Sequence, residues 1–369
     1  MNFFRERIGL IYILIPYFSP VKNKLSLILS ILFGSAKYKI KLDRNISIKF
    51  ESSKFSNMLS LLGILTFASN YKLKKDKVKV TFGDKIWFDL PIANLRYEDY
   101  NLLELLFGGI KFGANFVTDK NTNIEQLRNK TFKIWKKEND RKIIETASGI
   151  KFYLDSIHPN NSIIETFVKE IHLINSNYDW NEKIVIDVGA ECGDTPLFFA
   201  KLGAKVYAFE PIKDHFNAMI ENLKLNPELS KQITPINAGI GKDEELTFYQ
   251  AESGEVGGTS FVANLHGKNV KESKVDGYSL ETVIKKFHIN EIDLLKMDCK
   301  GCEAFLNKEI LNIVKQVKIE YSNEFQKTYS LNELSELLSN EGFNIVTYNI
   351  EPSSHRSMST GTTIYGIKY

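Results

Sequence analysis

A loop and three points beyond it space residues that could do chemistry together. The loop holds Asp187, Gly189, Ala190, Glu191, Gly193, Asp194 and Thr195; Glu210–Pro211, Asn237–Ala238 and Asp298 follow further along the chain. An ionised carboxylate only accepts hydrogen bonds, so such a set suits ligands rich in donors or positive charge: diols, ammonium groups, a cationic centre. A carboxylate near the reacting atoms can also take a proton from a hydroxyl.

Lys183–Pro211 (KIVIDVGAECGDTPLFFAKLGAKVYAFEP) must position the first of these residues. Ile184–Val188 is an apolar strand broken only by Asp187 near its end, and the glycines follow it in a tight loop. Thr195–Pro196 opens a helix, with proline in the first turn where a missing N–H costs nothing. Gly203 ends that helix as a C-cap, and Lys205–Phe209 forms a second strand ending on Glu210. Such a βαβ start binds nucleoside-containing ligands at the carboxyl ends of its strands. A pyrophosphate needs close backbone approach at a helix N-terminus, and Glu191 and Asp194 would repel it. Those acids suit a sulfonium with an amino-acid tail, with Glu210 taking both ribose hydroxyls, so the loop reads as an S-adenosyl-L-methionine (SAM) site. A nicotinamide dinucleotide site and a purely structural βαβ unit stand as the alternatives.

Four segments together resemble the FkbM-type methyltransferases: VIDVGAECGDTPLFFAKLGAKVYAFEP, INAGIGKDEELTFY from Ile236, GGTSF at Gly257–Phe261, and SLETVIKKFHINEIDLLKMDCKGCEAFL followed by VKIEYSNEF. They run in the family's order over residues 161–369. The resemblance implies an α/β, Rossmann-like SAM methyltransferase sheet of order 3-2-1-4-5-7-6, and mostly O-methylation of sugars or polyketide-like hydroxyls. Two positions depart from the family's pattern: Lys300 stands where an acid is usual, and Ser322 where a histidine often follows strand five.

In such a fold strand three is Ile233–Asn237, and Asn237 either reads the adenine edge or serves a turn. Strand four is Asp293–Met297, central and apolar, which leaves Asp298 at its carboxyl end facing the Gly189–Gly193 loop. Asp298 is the first candidate for a general base, or else it orients the cofactor's tail; Glu303, Glu320 and His355 are further candidates. Strand five is Val317–Tyr321; Ser330 and Glu333 spell a capping box for a helix over Leu331–Glu341, and Phe343–Tyr348 and Thr363–Tyr369 complete the sheet. Leu246–Tyr249 reads as an added strand, and Gly254–Ser260 as a lid or a hairpin tip. Glu351–Gly361 reads as a polar loop. Ile163–Leu173 reads as an amphipathic helix with His172 on its surface, and His215 as a cap or solvent-facing group near the start of the helix Lys213–Leu225. Cys299 and Cys302 read as small half-buried residues, with a thiol cluster shared with Cys192 as the rival; no metal is expected.

The chain of 369 residues is 43% apolar and 25% charged, with room for two domains. A net charge of +3 carries no nucleic-acid signature. Three cysteines make no disulfide scaffold and indicate a reducing, cytoplasmic setting. Residues 1–36 form an apolar, basic segment, 37–160 a β-rich region and 161–369 the methyltransferase domain. The apolar runs Ile8–Phe18 and Leu25–Phe33 are each shorter than the roughly 18 residues of a membrane span. Three readings stand for them: a peripheral membrane contact, helices packed on the protein, or a true membrane or signal segment. Three hairpins are expected, at Tyr38–Phe50, Val78–Leu90 and Ile143–Leu154, as a weak internal repeat. Helices are expected at Asp99–Phe107 and Asn123–Lys137. Tyr97, Tyr100, Phe107, Phe112 and Phe116 offer rings either for sugar stacking or for the core. The expected function is O-methylation of a sugar hydroxyl on a glycan, glycolipid or small molecule. Its alternatives are a SAM-binding protein of little activity, suggested by Lys300 and Ser322, and a nicotinamide-dependent sugar enzyme.

Overall fold

A computed structural model describes the chain apart from residues 1, 44–45, 75, 83–84, 93–94, 119–120, 122, 137–138, 157–161, 252–258, 261–269, 300, 323–329, 351–360 and 369. Two compact units divide it, residues 1–149 and the chain from Ile150 onward.

In the first unit, α1 (Asn2–Leu14) and α2 (Lys24–Leu32) are joined through a 3-10 turn at Ile15–Tyr17. Lys37–Asp43 pairs antiparallel with Ile46–Glu51, and Lys77–Phe82 pairs with Lys85–Pro91 and with Asn70–Leu73. The expected turn residues Arg44, Asn45, Gly83 and Asp84 lie outside the described residues. Two helices form the apolar centre: α3 (Phe55–Phe67), buried along most of its length, and α4 (Tyr97–Lys111). They approach so closely that a Cβ on Gly63 would meet the Phe107 ring at 2.1 Å.

The expected helix Asn123–Lys137 is corrected. Only Ile124–Gln126 turns helically, and Thr131–Lys136 is a strand paired with Lys142–Glu145. Its sequence TFKIWK alternates with the two-residue period of a strand. Among the rings considered for sugar stacking, Phe107 packs on Tyr17 and Phe67, and Phe116 on Phe132.

The second unit is built on a seven-stranded sheet. In chain order its strands are Ile184–Val188, Lys205–Phe209, Ile233–Ile236, Leu294–Met297, Gln316–Ser322, Asn344–Ile350 and Gly361–Ile367, hereafter strands one to seven. They lie side by side in the order 3-2-1-4-5-7-6, and strand seven runs antiparallel to both neighbours. One face is apolar: Ile186, Val188, Leu295, Met297, Val317, Ile319 and Tyr321 share a continuous core with Leu280, Leu311, Leu334 and Leu338 from the covering helices. Ser330 and Glu333 bond reciprocally at the start of Leu331–Asn340 as a capping box.

The opposite face is not apolar. Asp187, Lys296, Lys318 and Tyr365 stand in register across strands one, four, five and seven. Strand four, expected to be central and apolar, therefore carries a buried lysine. The added strand extends over Glu245–Ala251 and pairs antiparallel with Val270–Tyr278, which the reading missed. KESKVDGY carries charges where a half-buried strand would show apolar residues. Most of the glycine-rich segment, residues 254–258, lies outside the described residues.

Helix α5 spans Ser162–Phe167, shorter than the expected Ile163–Leu173. The helix after strand one, α6, is Asp194–Lys201, and the helix after strand two, α7, is Lys213–Leu225. Fully buried Asn222 on α7 ties this region together: its amide oxygen accepts from the Tyr153 N–H at 2.9 Å, and its amide nitrogen donates to the Cys192 carbonyl at 2.9 Å. Asn222→Ala strands both backbone groups. The expected loss is about 2–4 kcal/mol, read as a lower urea midpoint; an unchanged midpoint would remove Asn222 from the loop's support.

Candidate active site

The glycine loop is held against its neighbours by close backbone approach. Gly189 has φ +83°, and a Cβ there would lie 2.2 Å from the Asp298 carbonyl oxygen. Asp298 in turn donates its backbone N–H to the Val188 carbonyl, so strand four ends directly beside the loop. Gly189 and Ala190 both donate to the Phe209 carbonyl. Glu191 occupies the left-handed region at φ 47°, unusual for a residue with a side chain. In that conformation its N–H meets Glu210 Oε2 at 2.9 Å. Gly193, also left-handed, precedes α6, and a Cβ there would crowd Met219.

Glu210 is 4% exposed and turned onto the loop. Oε2 takes the Glu191 N–H, and Oε1 takes the Ile212 N–H at 2.8 Å. Oε2 keeps a second lone pair. His215 is corrected: it is buried, and its Nδ1 lies 3.7 Å from Glu210 Oε1. Burial disfavours the imidazolium, yet hydrogen bonding to Glu210 and the charges of Glu210, Glu191 and Asp214 raise it above the ordinary histidine value. Asn237 donates its amide hydrogens to the Glu210 and Pro211 carbonyls at 2.8 and 3.1 Å, which joins the ends of strands two and three. Ala238 lies in the core.

Three of the loop's polar residues face into the protein. Asp187 pairs with Lys296 Nζ at 2.8 Å, and the same ammonium donates to the Gly189 carbonyl at 2.9 Å. Burial would discharge Lys296, but Asp187, Asp298 and Asp194 hold it charged and raise it above the ordinary lysine value. Asp194 accepts from the Thr166 hydroxyl and approaches Cys192 Sγ. Thr195 contacts His172 Nε2 at 3.3 Å. His172 is a second correction: α5 stops at Phe167 and the chain turns inward, burying the ring. Burial, with Lys318 and Lys296 nearby, lowers its pKa well below the usual range, so it is neutral. Because the Thr166 hydroxyl hydrogen goes to Asp194, Thr166 Oγ1 accepts from His172 Nε2–H at 3.0 Å, which sets the tautomer.

Strands four and five bring two acids side by side. Lys296 is in register with Lys318 and Met297 with Ile319, so one step further along each strand come Asp298 and Glu320. Lys318 Nζ lies 3.6 Å from Glu320 Oε1. Burial and the Asp298 and Glu165 charges push the Glu320 carboxyl up to about 7 against the pull of Lys318 and Lys296. Lys296 and Lys318 were not anticipated, though an isolated lysine inside an apolar strand is a readable signal of a buried partner.

The remaining candidates stand elsewhere. Glu303 is buried and turned inward, taking the Gly301 N–H at 2.7 Å, while His355 and Lys300 lie outside the described residues. Cys299 and Cys302 are joined as a disulfide, which corrects their reading as separate small residues; Cys192 is buried and free of it.

The acceptor-only groups Glu191 and Glu210 beside the Gly189 turn fit a ligand that brings a diol, an ammonium and a sulfonium, and suit a pyrophosphate poorly. Residues 187–345 match the model of the methyltransferase FkbM domain. Over that segment the chain is an FkbM-type, SAM-dependent methyltransferase domain. No curated protein matches it. Among solved structures, the precorrin-6y C5,15-methyltransferase of Geobacter metallireducens GS-15 is 11% identical, with 55% of this chain and 88% of that one covered at a TM-score of 0.33. The METTL16 methyltransferase domain is 16% identical, covering 60% and 74% at 0.36. The M. jannaschii TYW2 structure in complex with AdoMet is 15% identical, covering 64% and 84% at 0.32.

Lys296→Met in this methyltransferase leaves Asp187 buried without its counter-charge. The expected destabilisation is about 3–5 kcal/mol, measured by denaturant unfolding. Adding Asp187→Asn should recover part of it; a double variant no better than the single one would separate the two residues energetically.

Proposed function

We propose that this methyltransferase transfers the methyl group of SAM to a hydroxyl of a sugar, on a glycan, a glycolipid or a small molecule, and that Glu320 is the general base. The observation that carries this reading is the Asp298–Glu320 pair at the ends of strands four and five, with a Glu320 carboxyl near 7. A group poised there is ionised often enough to accept a proton and basic enough to hold it.

Glu210 would meet the ribose diol through the Oε2 lone pair that the Glu191 N–H leaves open. The Asn237 amide oxygen would face the adenine edge, its hydrogens being committed to the Glu210 and Pro211 carbonyls. Glu191 and the loop around Gly189 would hold the amino-acid tail, and Asp187, Asp194 and Thr195 keep the loop in shape from behind. When bound, SAM supplies an electrophilic methyl group on a sulfonium. Glu320 takes the hydroxyl proton as the oxygen attacks, while Asp298 orients the hydroxyl and keeps Glu320 basic through its charge. Paired carboxylates suit the adjacent donors of a polyol and oppose a phosphate-rich acceptor, which favours sugars over nucleic acid.

Glu320→Gln should lower kcat by about 10²–10⁴ while the thermal shift produced by SAM is retained. In the parent enzyme the rate should rise with pH through about 7, because only the ionised carboxylate accepts the proton, and the inflection should vanish in the variant. A retained inflection would move the base elsewhere. Glu210→Ala should abolish the SAM shift; an unchanged shift would sink the cofactor assignment to this residue. Labelled methyl recovered on a sugar pool tests the acceptor class.

A further inference from the structure

The first two helices expose apolar residues in helical rows. On α1, Phe4, Ile8 and Tyr12 are 55%, 47% and 73% exposed; on α2 and at its C-cap, Leu25, Leu29 and Phe33 are 71%, 42% and 73% exposed. Each set recurs every four residues, so each forms one stripe along its helix. Leu14 on α1 and Leu27 and Ile31 on α2 are fully buried, so both helices already have an inner face packed on their own unit. Arg7 Nη1 donates to the Ile31 carbonyl at 2.8 Å, which ties α1 to α2.

A basic cluster adjoins them. Asn23, at the start of α2, donates to the Lys39 carbonyl at 2.8 Å and accepts from the Lys41 N–H, while Lys22 donates its N–H to the Lys41 carbonyl at 2.8 Å. Lys22, Lys24, Lys39 and Lys41 are thereby gathered at one end of the helix pair, all exposed. Among the described residues none of the four makes an ion pair. No helix among the described residues is long and apolar enough to cross a membrane.

We infer that α1 and α2 form a docking surface for an anionic phospholipid bilayer, lying in the interface with the apolar stripes down and the lysines among the headgroups. Charge complementarity selects this occupant. A second copy of the chain would bring the same lysines together, whereas an anionic leaflet offers them counter-charge. The exposed Tyr12 ring is amphipathic enough for the headgroup boundary, and the buried inner faces let the pair lie flat without unfolding.

The test is co-sedimentation of the full chain with vesicles. Binding is expected to phosphatidylcholine vesicles containing phosphatidylglycerol, to weaken with salt, and to be lost with phosphatidylcholine alone. Tyr12→Ser with Phe33→Ser should weaken it at least about tenfold, and Lys22→Glu with Lys24→Glu at least about fivefold per position. The substituted residues are exposed, so melting temperature and the SAM-induced shift should stay at parent values. Absence of binding to anionic vesicles would overturn the proposal. So would unchanged binding in both variants, or a concentration-dependent dimer of the parent chain that the apolar substitutions dissolve.

Discussion

At the middle of the second unit a lysine from strand four meets an aspartate from strand one, with no water-exposed surface to relieve either charge. Two charges so placed stay together because separating them is far costlier than keeping them paired. The Asp187–Lys296 pair therefore sets which residues of the two central strands are neighbours. It also reaches outward, since the same ammonium holds the Gly189 carbonyl and so the start of the glycine loop. Loop shape, and with it the position of Glu191 against Glu210, depends on a contact one layer below the crevice.

The sheet divides its work between its faces. Alternation along strands four and five sends Leu295, Met297, Ile319 and Tyr321 into a conventional apolar core. The residues between them, Lys296, Lys318 and Glu320, go to the face covered by α5 and the turn that carries His172. Packing on one side supplies cohesion, and the charged row on the other supplies a field. Burial raises both acids against a nearby ammonium, Asp187 beside Lys296 and Glu320 beside Lys318, and the charges of Asp298 and Glu165 add to the rise of Glu320.

In the first unit, Gly63 lets α3 and α4 meet at the Phe107 ring, and the buried ion pair of Lys133 with Glu145 ties its strands. Its outer helices leave half of their apolar residues in water. A chain that has buried Leu14, Leu27 and Ile31 completely has the means to bury more, so the exposed stripes are a property of these helices and not a failure of packing.

Local spacing alone determined much of this protein. The βαβ start, the glycine turns, Glu210 at a strand end and the Ser330–Glu333 cap all depend on residues a few positions apart, whose conformational preferences are intrinsic. Such spacing, with the resemblance it carries, was enough to propose a SAM site between Asp187 and Ala238. Tertiary structure decided the rest. No neighbour in sequence tells Lys296 that its partner is Asp187, or tells His172 that the chain after Phe167 turns inward. Thr131–Lys136 could be read as a helix until its antiparallel partner at Lys142–Glu145 was in place. Charges, histidines and strand edges take their roles from groups distant along the chain, because electrostatic and hydrogen-bond energies depend on separation in space and on burial. Neither exists until the chain has folded.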